Sequence, residues 1–140
     1  MRTPNVFAGP YLDRAAHLRK DASFVAAALA DPGTLIAPLW QARNLMLRGD
    51  RGSSAAFIAV THEIRRTLPD GELVLLGQFH GHAVFAAEVV AEAAPALLPG
   101  ASFEDLRTAA GFLPQDEAGL LAYARAMILW RQRHRFCGTC

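Results

Sequence analysis

Two cysteines lie in the last four positions of the 140-residue sequence, and Cys137 and Cys140 are the side chains whose spacing most clearly suggests chemistry. They form a C-x2-C knuckle in which Gly138 relaxes the turn, so that two thiolates can reach one metal ion. Two thiolates are half of a tetrahedral zinc site. In a ribbon the other half is a second C-x2-C roughly 15 to 20 residues further on, so the sequence is expected to stop halfway through a zinc ribbon. The same spacing also fits a redox pair or a pair with no function. A thioredoxin-like pair sits at a strand-to-helix junction of a βαβ unit, whereas this one follows a long helical stretch, and the zinc reading is preferred.

Other side chains are weighed against simpler roles. His134, three residues before Cys137, reads as an exposed basic residue at a helix end rather than a third ligand. His80 and His82 point to one face if their segment is extended, but they flank Gly81 and are read as turn residues. Glu88 and Glu92 have helical spacing at the end of a strand-like run, and a solvated face is the preferred reading. Arg125, Arg131, Arg133 and Arg135 crowd one helix end, where cations offset the negative pole; Arg133 and Arg135 are also candidates for reaching a dinucleotide or RNA cap. Trp40 and Trp130 are expected to pack in the core or between domains rather than stack on a base. No catalytic or cofactor-binding residue is assigned in this chain, and the metal assignment is confined to Cys137 and Cys140.

The elements that must position the knuckle follow from hydrophobic pattern. Residues 1 to 20 read as irregular with a helical turn, and Asp21 caps a short helix from Ala22 to Ala30 that Asp31-Pro32-Gly33 ends. Thr34 to Trp40 and Arg43 to Arg48 form a hairpin joined by Gln41-Ala42, although Leu45-Met46-Leu47 alone suits a helix equally well. A loop from Gly49 to Ser54 leads into a buried strand over Ala55 to Val60. Leu73 to Phe79 and His82 to Val89 form a second strand pair, turned at His80-Gly81. Ser102 to Asp105 has capping-box spacing for a helix that Gly111 ends. Residues 115 to about 133 repeat apolar positions at helical spacing and form the longest element. The fold class is therefore α+β, a largely antiparallel sheet packed against a long C-terminal helix.

Composition supports one folded domain: 52% of residues are hydrophobic and 19% charged. A net charge of +1 predicts no broad electrostatic footprint for nucleic acid or anionic lipid. The amino terminus does not read as a signal peptide, and no apolar run approaches the ~20 residues of a membrane span. Cytoplasm is the expected location.

The stretch from Ala124 to Cys140 resembles the run that joins the amino-terminal domain of NADH pyrophosphatases, in the Nudix superfamily, to their zinc ribbon. It carries a helix ending in Trp130, then basic residues and His134, then Arg135-Phe136-Cys137-Gly138. Leu76 to Ala86 is similar to that family's strand, Gly-centred turn and Phe-Ala strand, and Phe103 to Arg107 to the helix that follows. The resemblance runs with gaps from Pro38 to Cys140. It implies a parent protein that cleaves the pyrophosphate of NADH or NAD to nicotinamide mononucleotide and AMP, with NAD-capped RNA a further substrate in some members. It also implies a homodimer, a structural zinc, and magnesium or manganese in a catalytic domain. That domain's signature, G-x5-E-x7-R-E-x2-E-E-x-G, does not occur in this sequence. The expected division is residues 1–133 as an accessory domain and 134–140 as the start of the ribbon, with the chain inactive alone and partnered by its own C-terminal Nudix domain. The alternative is a zinc-ribbon module that binds nucleic acid or protein and has no hydrolase attached.

Overall fold

Local chemistry sets the first element of the computed structural model, which describes residues 21–50, 52–89 and 98–135. The Asp21 carboxylate accepts from the backbone N–H groups of Ser23 and Phe24 at 3.0 and 3.2 Å, satisfying donors that the first turn of α1 (Ala22–Ala30) cannot satisfy itself. Asp31 turns the chain by accepting from Gly33 N at 2.9 Å. The buried Thr34 hydroxyl then donates back to Ala28 O at 2.5 Å, closing the helix end against the sheet.

β1 (Leu35–Trp40) and β2 (Arg43–Gly49) are joined by Gln41-Ala42 and pair only next to that turn, at Leu39 with Asn44 and Trp40 with Arg43. They then diverge. β3 (Gly52–Ala55) pairs with the far half of β2, while β4 (Ile58–Ala59) takes the near half of β1. The run read as one buried strand over Ala55 to Val60 thus breaks at Ala56-Phe57, where the chain changes partner. Its first part also begins earlier, so that Gly52 to Ser54 are strand rather than loop.

The polypeptide next forms two 3-10 turns, Glu63–Thr67 and Asp70–Glu72, before β5 (Val74–Phe79) and β6 (His82–Glu88) pair as an antiparallel hairpin with a bulge at Leu76. β6 lies parallel to β1, in register from Leu35 with Val84 to Leu39 with Glu88. β7 (Ala101–Glu104) adds to the outer edge of β2. The described strands form one seven-stranded sheet, mostly antiparallel, with the path β3-β2-β1-β6-β5. Ser102 is therefore a strand residue, and the cap of α2 (Leu106–Ala109) is Asp105, whose carboxylate accepts from Arg107 N at 2.8 Å. A 3-10 turn over Ala110–Phe112 leads to α3 (Gln115–Arg135).

Both faces of the central strands are covered, which explains their nearly continuous apolar sequence. Along β6, Phe85 and Ala87 face a core shared with Ile36, Leu45, Ile58 and α1, while Val84 and Ala86 face Leu120, Ala124 and Ile128 of α3. A third cluster joins Met46 and Ala55 to Leu106 and Ala109 of α2 and to Ala118 and Leu121 of α3. Each large side chain buried this way contributes about 1.5–3 kcal/mol. The class is α+β.

Candidate functional site: the exit end of the long helix

α3 carries the chain toward the knuckle, and polar contacts fix it to the sheet along its length. Near its start, Asp116 Oδ2 meets His80 Nε2 at 2.7 Å, and Glu117 Oε1 accepts from Ala55 N at 2.5 Å. In the middle, the fully buried Asn44 donates from Nδ2 to Leu121 O at 3.2 Å. Arg125 Nε donates to Ala42 O at 3.0 Å, and Arg131 to Gly71 O. These contacts reach four separate segments, so rotating or sliding α3 breaks several hydrogen bonds at once.

The turn gripped by Arg125 is held from below as well. Gln41 and Ala42 have φ values of 50° and 62°, the two-residue pattern of a type I′ turn made without glycine or asparagine. Glu88 Oε1 accepts from Gln41 N at 2.9 Å, while its other oxygen is buried without a partner. Burial therefore pushes the Glu88 carboxyl above its ordinary 4.5, against the lowering effect of the Gln41 hydrogen bond. Glu117 is raised mainly by the same cause and secondarily by neighbouring Asp116; the Ala55 N–H and His80 oppose the shift. A cleft of about 220 Å³ lies beside the last turns of α3, lined by Leu68, Glu88, Ile128 and Arg131 among others.

The residues singled out in the sequence are dispersed. Cys137, Cys140 and Glu92 lie outside the described residues, as do residues 1 to 20. His80 and His82 share no partner: His80 pairs with Asp116, and His82 donates from Nδ1 to Gly33 O at 2.8 Å. Trp40 is half-buried against Phe103, with ring centroids 5.9 Å apart. Trp130 is not part of the core of the described residues. It is 57% exposed and stacks on His134, ring centroids 4.3 Å apart and planes 27° apart. His134 Nδ1 donates to Trp130 O at 2.7 Å, and Arg133 beside it is exposed.

Sequence reasoning did not find the polar contacts of α3, because each pairs positions dozens of residues apart. The one available signal was the set of carboxylates and arginines on a helix whose other face is apolar.

The family model described as the NADH pyrophosphatase-like rudimentary NUDIX domain matches residues 13–130. Over 65 residues the chain is 40% identical to the NAD-capped RNA hydrolase NudC of Stutzerimonas stutzeri (strain A1501), a stretch covering 46% of this chain and 22% of that relative. The match thus spans less than a quarter of the relative's length. With the family match running through the whole sheet, α2 and most of α3, this chain belongs to the NADH pyrophosphatase-like rudimentary NUDIX domain family.

Proposed function

We propose that the chain is the non-catalytic amino-terminal scaffold of a Nudix hydrolase that cleaves the pyrophosphate of NADH or NAD, and of the NAD cap on RNA. The family match over residues 13–130 carries this reading. The capped-RNA part rests on the partial similarity to NudC. Packing is consistent with a scaffold rather than a catalytic site. Asp21, Glu88, Asp105 and Glu117 all hold backbone N–H groups, and Asp116 is engaged with His80. No carboxylate-rich box of the kind that binds magnesium or manganese occurs in the sequence.

In this reading Cys137 and Cys140 supply two thiolates to a structural zinc. The donor set suits that ion, and the helix end before it suits a cation. Magnesium or manganese belongs to the catalytic domain and is held by residues outside this sequence. The protein works as a homodimer in the cytoplasm. Among the described residues no helix is long and apolar enough to cross a membrane.

Changing Cys137 to Ser in the full-length protein tests the assignment. The expected outcome is a lower melting temperature, with NADH hydrolysis retained below it, followed as release of AMP. Loss of all turnover at unchanged thermal stability would give the cysteine a catalytic role instead. The 140-residue chain alone is expected to release no AMP from NADH with either metal, and turnover by it would overturn the scaffold reading.

A further inference from the structure

The packing of α2 on α3 brings Arg107 and Arg125 to one place. Leu106 and Ala109 of α2 share a buried cluster with Ala118 and Leu121 of α3. Beside it the two arginines, with Leu106 and Ala122, line a cleft of about 180 Å³. Arg125 is half-buried, and its Nε is committed to Ala42 O at 3.0 Å. That bond holds the planar guanidinium in one orientation and leaves its two terminal NH2 groups as donors. Arg107 is exposed at the mouth.

Neither guanidinium has a carboxylate partner among the described residues. Arg48 pairs with Glu104 and His80 with Asp116, while Glu88 and Glu117 hold backbone N–H groups elsewhere. Asp105, next to Arg107 in sequence, is turned to the Arg107 N–H as the cap of α2. No acidic residue lines the cleft. Two like charges gathered around partly apolar walls repel one another, and an anion between them relieves that repulsion.

Size and donor count narrow the anion. The cleft is smaller than the roughly 300–1,000 Å³ of a site that encloses a drug-sized ligand, so it takes one anionic group with the rest of the molecule outside. A carboxylate has two oxygens, which a single guanidinium fork satisfies, whereas a phosphate has oxygens and charge enough to accept from two forks at once.

The geometry points to a phosphate-binding site between α2 and α3, in which Arg125 supplies a fixed fork and Arg107 closes on the same group. The phosphate is that of a nucleotide or of a polynucleotide backbone. The inference stands apart from the hydrolase reading: a protein that releases no AMP from NADH still holds phosphate here.

The test follows the Nε–H signals of Arg107 and Arg125 in 15N NMR spectra of the full-length protein, each assigned by substitution with lysine. Inorganic phosphate, AMP and a short single-stranded RNA with a 5′-hydroxyl are titrated in turn at constant ionic strength, with chloride as the control. Inorganic phosphate is expected to give saturable shifts of both signals that chloride does not reproduce. The same response to AMP but not to the RNA assigns a terminal phosphate, and a response to the RNA assigns the backbone phosphodiester. Loss of one charge-assisted fork in Arg107→Gln is expected to weaken phosphate binding, read at Arg125, by about tenfold with the melting temperature unchanged. Equal shifts with chloride and phosphate, or undiminished phosphate affinity in Arg107→Gln, overturn the site.

Discussion

Asn44 is fully buried, gives one hydrogen bond to Leu121 O and leaves its own oxygen without a partner. A carboxylate there faces a carbonyl in a dry site. Asn44→Asp is therefore expected to destabilise the fold by about 3 kcal/mol or more, against about 1–3 kcal/mol for Asn44→Ala, both read from urea unfolding. Glu88 and Glu117 act in the opposite sense to most surface acids. Their carboxyls are raised above the ordinary 4.5, chiefly by burial, so the folded chain binds more protons than the unfolded one just above that value. Stability contributed by the neutral forms is full below it and is lost as pH rises through the raised values. The double variant Glu88→Gln, Glu117→Gln should flatten that decline in denaturation midpoints from about pH 4 to 8; an unchanged slope would contradict it. At this scale the sequence was readable where partners are local. Asp21 capped the helix it was expected to cap, whereas the partners of Asn44, Glu88 and Glu117 lie 47 to 77 residues away.

Elements were legible to the extent that pattern is local. Both hairpins formed where nearly continuous apolar runs met short two-residue turns, yet neither turn has glycine at its first position. Gln41, Ala42 and His80 all adopt positive φ, a conformation disfavoured for residues with a Cβ. The first turn persists because Arg125 and Glu88 grip it. Ala42→Gly should relieve part of this and stabilise by about 0.5–1 kcal/mol, the gain from easier backbone geometry partly offset by entropy in the unfolded chain. A shift in the urea midpoint without a change in slope checks it. β7 was missed because Ser102 and Asp105 have the spacing of a capping box. The pairing that makes Ser102 to Glu104 strand comes from β2, far back in the sequence. The break between β3 and β4 was hidden for a similar reason: one apolar run serves two partners in turn.

For the molecule as a whole, α3 supplies Leu120, Ala124 and Ile128 to one core and Ala118 and Leu121 to another. Residues 1–114 alone are expected to expose both and to lack fixed tertiary structure, giving a collapsed near-UV circular dichroism signal and binding of a hydrophobic dye. A cooperative unfolding transition in that fragment would show that the helix is ornament to the sheet. The sequence indicated the class and the long helix, since both follow from periodicity. It gave no hint that β1 pairs with β6 in parallel, because parallel partners are joined by long connections that leave no mark at the turn.

That parallel pair has a consequence for synthesis. β1 sits near the middle of the sheet path, yet its neighbour on one side comes from far downstream, and the His82 contact that closes the same end spans 49 residues to Gly33. At about 5–20 residues per second, a ribosome takes roughly 2 to 10 s to make that interval. During that time the nascent chain carries its most apolar strand with one edge bare, a template for pairing with other chains until Val84 to Glu88 have been made.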